Sequence, residues 1–215
     1  MGIGMRLLIV TFVILWSTII ANQADSSDGK ALCFRGHPLP QCKSFMVTEF
    51  GVYYRLVASP KPASGSFEEG AFWTTMDLGW MRNISQKYAA GGSFFVGTDV
   101  ENKVRIGMRA KIRRWLRPDL SLDFAPGVLY GLQSEDSHLG FSGQLGLNLG
   151  DWASAVTEVN VIRVSSWAGS PYYWRYTRDT VTSWYFGFKL GSYPGLVGGI
   201  AGAVMGALVG GSMSQ

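Results

Sequence analysis

The chain has 215 residues, 47% of them hydrophobic, 13% aromatic and 16% charged, and its 19 basic and 15 acidic side chains leave a formal charge of +4. This apolar and aromatic content excludes a disordered chain, and the charge surplus is too mild to argue for a nucleic-acid partner. Charge falls below the roughly 25% of soluble domains, while the 28 glycines are about twice the usual share of roughly 7%.

Residues 1–24 read as a secretory signal peptide. Arg6 gives a short basic start, Leu7 to Ile20 is an apolar run broken only by Thr11, Ser17 and Thr18, and Ala21 to Ala24 offers a small-residue cleavage site. An uncleaved membrane anchor is the alternative. Residues 25–43 form a leader that holds both cysteines, Cys33 and Cys42, around Gly36-His37-Pro38-Leu39-Pro40. In an exported chain this even pair predicts a disulfide-closed loop. A metal site of Cys33, His37 and Cys42 would lack a fourth ligand, so neither a metal nor another cofactor is expected.

From Ser44 the dominant signal has period two, as in strands with two unlike faces. Phe45–Ala58 sets Met46, Thr48, Phe50, Val52, Tyr54 and Leu56 against Glu49, Gly51, Tyr53 and Arg55. Ala71–Arg82 sets Phe72, Met76, Leu78 and Trp80 against Thr75, Asp77 and Gly79, and Tyr88–Gly97 repeats this more weakly. In Lys103–Leu116, Val104, Ile106, Met108, Ala110 and Ile112 oppose Lys103, Arg105, Arg109, Lys111 and Arg113. Leu120–Leu132 and Leu139–Gly150 alternate cleanly, Ala153–Val164 less so, and Ser183–Leu190 opposes Trp184, Phe186 and Phe188 to Tyr185, Gly187 and Lys189. Eight candidate strands result, over residues 44–191.

The connections alternate between longer and shorter. Ser59–Gly70, Thr98–Asn102, Gln133–His138 and Ser165–Thr182 are the longer ones, and Asn83–Lys87, Arg117–Asp119 and Asp151–Trp152 the shorter. Barrels that span an outer membrane have this rhythm, with strands long enough to cross at a tilt. Trp80, Tyr88, Trp115 and Trp152 fall beside the short turns, and Tyr54, Tyr130 and Trp184 toward the other ends. These are the positions of two interfacial aromatic girdles. Asn83-Ile84-Ser85 matches a glycosylation acceptor but falls in a short turn, where the match reads as accidental.

The exported N-terminus, the eight alternating strands and the loop rhythm of Ser44–Leu190 resemble the small outer-membrane β-barrels of the outer-membrane-protein-A-like type, in the porin-like barrel superfamily. The resemblance is architectural, without a short motif that identifies a subfamily. It implies an all-β, eight-stranded antiparallel up-and-down transmembrane β-barrel in the outer membrane of a Gram-negative-type bacterium, surrounded by outer-membrane lipid. Such barrels often end on a C-terminal aromatic of the last strand, whereas this chain continues for 25 residues past Leu190.

The inward face of so narrow a barrel is usually filled by side chains. Period two assigns it Arg55, Lys103, Arg105, Arg109, Lys111, Arg113 and Lys189, against Glu49, Asp77, Asp123 and Glu158. Two readings follow: a lumen plugged by ion pairs and water, or a cationic stripe on 103–113 that binds or passes an anion. The tail, residues 192–215, carries Gly198, Gly202, Gly206 and Gly210, a spacing that on a helix makes one smooth face for close backbone approach. Such a helix would be membrane-active or self-associating, or packed on or inside the barrel; a Gly-rich tail without structure is the remaining alternative. An enzymatic reading has only His37 and His138 as bases, with Ser137, Glu135, Asp136 and Ser142 near His138. The expectation is therefore a non-enzymatic outer-membrane barrel with a structural or interaction role and contact surfaces at Ser59–Gly70 and Ser165–Thr182. A small anion-permeable or ligand-binding channel is the alternative, and a lipid-modifying hydrolase the third.

Overall fold

The computed structural model describes residues 32–34, 36–59, 72–99, 104–132, 139–170 and 173–201, with Asp99, 164–170 and 173–179 described through their backbone. The segment 1–24, Lys103, His138, Gly202, Gly206 and Gly210 lie outside the described residues.

A two-residue strand, β1 (Leu32–Cys33), pairs parallel with the start of β2 (Ser44–Ser59). Then follow β3 (Phe72–Asn83), β4 (Tyr88–Asp99), β5 (Val104–Arg117) and β6 (Leu120–Gly131). The last three strands are β7 (Leu139–Leu149), β8 (Ala153–Ser170) and β9 (Tyr173–Leu190). From β2 to β9 each strand pairs antiparallel with the next, and β9 returns to pair with β2. The result is a closed, eight-stranded up-and-down barrel, and closure leaves the wall without a free edge.

Period two sets which side chains enter. Tyr53 and Arg55 of β2 are buried while Tyr54 and Leu56 are exposed, and Arg109, Lys111 and Arg113 of β5 are buried while Met108 and Ile112 are exposed. A register shift between Arg55 and Val57 turns both Leu56 and Val57 outward and brings Ala58 inside. Large lumen side chains lie over glycines of neighbouring strands. A Cβ on Gly97 would enter the Trp73 ring, and one on Gly107 the Phe95 ring. These two glycines thus make room for bulky rings in a narrow interior.

Two expectations change. Trp115 is not in the outer girdle: it is 7% exposed against 58% for Trp80, because it shares the parity of Arg113 and points into the lumen. Ser165–Thr182 is not a loop, since β8 and β9 stay paired from Ile162↔Val181 to Ser170↔Tyr173. β7 accompanies β8 only to Val161 and β2 accompanies β9 only to Thr182, so this hairpin runs past its neighbours. Among the described residues no strand pairs with the outer edges of the hairpin beyond Val161 and Thr182.

A helix, α1 (residues 192–201), follows β9 and doubles back along the outer wall. Thr48 Oγ1 donates to the Ser192 carbonyl at 3.0 Å. Gly195 lies against the carbonyl oxygens of Thr48 and Leu190, Gly198 against the Phe50 ring and Gly199 against Met76. The small face containing Gly198 therefore meets the chain's own barrel, and Tyr193, Val197 and Ile200 point away from it. Among the described residues no helix is long and apolar enough to cross a membrane.

Candidate functional site

The lumen is layered. Toward the long-connection end lies an apolar and aromatic cluster built on Tyr53, Trp73, Phe95, Leu129, Val181 and Tyr185. At the short-turn end Phe45, Val47, Met81, Ala89 and Trp115 form a second cluster with Cys42. A layer of buried charge separates them.

In that layer Lys189 Nζ donates to Glu49 Oε2, Asp77 Oδ2 and Gln144 Oε1, each at 2.8 Å. Lys111 Nζ reaches the same Glu49 oxygen at 2.6 Å. Arg109 bridges Asp77 at 2.8 Å and Glu158 at 2.9 Å, and its guanidinium stacks on Phe95, 3.8 Å from the ring centroid. Gln144 Nε2 donates to Glu158 and to the Tyr53 hydroxyl, and Asn160 Nδ2 donates to Glu158. Three carboxylates, Glu49, Asp77 and Glu158, thus face three cations, Arg109, Lys111 and Lys189. Unpaired, any of them would be costly so far from water; paired and hydrogen-bonded, the layer is tolerated and locks the register.

Arg113 belongs to the lower end. Its Nε and Nη2 make a fork on Asp123 at 2.7 and 2.8 Å, and Nη1 reaches Asp151 Oδ1 at 2.8 Å. Asp151 sits in the β7–β8 turn at φ 58°, a left-handed conformation that Asp tolerates better than most residues. Its other oxygen accepts the Gly36 backbone N–H at 2.8 Å. Gly36 lies in the loop closed by the Cys33–Cys42 disulfide, and this loop is held at the short-turn mouth by the bonds to Asp151 and Asn83. Asn83 Nδ2 donates to the carbonyls of His37 and Cys42 at 2.7 Å, and Asn83 Oδ1 accepts from Trp115 Nε1 at 2.8 Å. The Asn83 amide is thus engaged inside the barrel mouth. Phe34 stacks on Tyr193 of α1 with centroids 4.4 Å apart, tying the leader to the helix.

Of the residues named from sequence, Arg105, Arg109, Lys111 and Arg113 are buried in the lumen, as are Glu49, Asp77, Asp123 and Glu158. They do not form one stripe. Arg109 and Lys111 join the central layer, Arg113 the lower mouth, and Arg105 packs over Trp73 at the upper end, 5.2 Å from the ring centroid. Ser142, considered with His138 as a catalytic pair, is buried on the lumen side. Parity in the sequence puts Tyr53, Gln144 and Asn160 on the inward faces, but it does not name them as partners of the buried charges. It also misses Asp151, which no periodic signal marks.

The outer wall is the reverse of the lumen. Val52, Phe72, Phe94, Met108, Phe124 and Phe188 are among its exposed side chains. Charge inside and apolar side chains outside suit hydrocarbon surroundings, not water. No protein-family model matches the sequence, and no curated protein matches it. A solved structure described as "De novo design of transmembrane beta-barrels" is similar at 9% identity over 73% of this chain and 98% of that chain, with a TM-score of 0.40.

Proposed function

We propose that the chain is a sealed barrel of the outer membrane, exported by residues 1–24, with a structural or interaction role and no conducting or catalytic one. The layered lumen carries this reading. A permeating ion would have to cross two apolar clusters and, between them, displace bridges in which Arg109, Lys111 and Lys189 are already matched by Asp77, Glu49 and Glu158. The leader loop is held at the lower mouth. The projecting β8–β9 hairpin is the surface best placed to meet a partner outside the barrel.

Purified full-length protein in planar lipid bilayers tests this. No stable conductance steps are expected. Reproducible anion-selective steps would overturn the proposal in favour of a small channel built on 103–113. Membrane fractionation with heat-modifiable gel migration tests the location, and a soluble monomer that needs no detergent would sink it.

A further inference from the structure

Among the described side chains, four neutral polar atoms are buried without a hydrogen-bond partner: Trp73 Nε1, Ser142 Oγ, Asn160 Oδ1 and Ser183 Oγ. Three of the four lie side by side. Ser142 of β7 pairs with Asn160 of β8, and Asn160 pairs with Ser183 of β9, so they form one row across three adjacent strands. All face the lumen, at 5%, 1% and 2% exposure. The row continues into Gly127 beside Ser142 and Ala58 beside Ser183. Here the wall presents only small side chains and one Asn, whereas the level below carries Gln144, Glu158, Tyr185 and Arg55. On the other side Leu129, Ile162 and Val181 of the upper apolar cluster close the level. The row is therefore polar, enclosed and lined by little side-chain volume, which are the conditions for holding a small polar molecule.

The orientation of Asn160 is forced. Its Nδ2 donates to Glu158 Oε1 at 2.9 Å, so its carbonyl oxygen turns away from the carboxylate and needs a donor elsewhere. Neither serine hydroxyl supplies one. Buried polar groups rarely stay unmatched in folded proteins. Charge narrows the choice of occupant. Glu158, the next inward residue of β8, disfavours an anion, and Arg109, 2.9 Å from it, disfavours a cation. A small neutral molecule that can donate to Asn160 Oδ1 and accept from the two hydroxyls fits, and water does both. We propose that the row is an internal hydration site, in which water trapped between the charged layer and the upper apolar cluster bridges Ser142, Asn160 and Ser183. The site rests on the sealed lumen proposed above.

The test counts long-lived waters in the full-length barrel in detergent by oxygen-17 relaxation dispersion of the solvent, a signal that proton exchange from the serine hydroxyls does not disturb. Ser142→Val with Ser183→Val is expected to lower the amplitude by about one water per barrel or more. Ser142→Thr with Ser183→Thr, of the same shape but with the hydroxyls kept, is expected to preserve it. Heat-modifiable migration of every variant verifies that the wall still closes. A crystal structure of the unaltered protein is expected to show water density within hydrogen-bond reach of Asn160 Oδ1. Equal amplitudes in the valine and threonine pairs, serine hydroxyls bonded directly to Asn160 in the crystal, or an ion or organic solute in that density would each overturn the site. No long-lived water in a barrel that is silent in planar bilayers would overturn the site alone. Conductance steps would overturn the sealed lumen, and the trapped water with it.

Discussion

Lys189 holds two carboxylates at once, Glu49 and Asp77, and adds Gln144 as a neutral acceptor. Lys189→Met would leave three carboxylates facing two cations in the central layer, and breaking a buried pair from one side costs about 3–5 kcal/mol. Urea unfolding in detergent is expected to show a loss of that size, and adding Glu49→Gln, which rebalances the layer, to recover more than half of it. A cost below about 1 kcal/mol, as for exposed ion pairs, would mean that water reaches the layer. These partners were half legible in the sequence. Parity alone put Glu49, Asp77, Arg109 and Lys189 inside, but which cation meets which anion depends on the stagger between strands. No sequence pattern shows that β9 brings Lys189 next to both β2 and β3 side chains. Trp115 shows the same limit from the other side: its position beside a short turn suggested the girdle, and parity, which overrides position, sends it to the lumen.

Among the elements, α1 and the leader depend on single contacts that substitution can remove. A Cβ at Gly195 would strike the backbone carbonyls of Thr48 and Leu190, which cannot yield as a side chain can. Gly195→Val is therefore expected to lift α1 from the wall, seen as faster hydrogen exchange across 192–201 with the barrel's own protection unchanged. Gly199→Ala, which meets only the flexible Met76 side chain, should do much less. The leader is fastened by Asp151, so Asp151→Ala is expected to speed reductive opening of the Cys33–Cys42 bond several-fold, whereas Asp151→Asn, which keeps an acceptor for Gly36, should retain most of the protection. Closing a loop of this size removes about 2–3 kcal/mol of chain entropy, so reduction alone should loosen the leader loop without unfolding the wall. The glycine spacing of the tail was visible in sequence, but its partner was not. Gly198 faces Phe50, a residue whose outward parity by itself said only that something apolar would cover it.

At the scale of the whole molecule, every strand of the barrel contributes to one interior network. Glu49 comes from β2, Asp77 from β3, Ser93 from β4, Arg109 and Lys111 from β5, Gln144 from β7, Glu158 from β8 and Lys189 from β9, and Asp123 of β6 joins through Arg113, whose Nη2 lies 3.9 Å from Glu49 Oε1. Unfolding followed by circular dichroism and by tryptophan fluorescence is therefore expected to give one coincident transition. Two separated midpoints would show that the charged layer dissolves apart from the wall. The same arrangement constrains how the protein reaches its final state. Until the last strand arrives, Glu49 and Asp77 near one margin lack Lys189 from the other, and a half-built curved sheet would leave Lys111 and Arg109 as their nearest cations. Assembly one strand at a time in the bilayer is thus the costliest route, and the chain should gather its charges into a nearly closed ring before it enters, with the final seam between the first and last barrel strands acting as the commitment step.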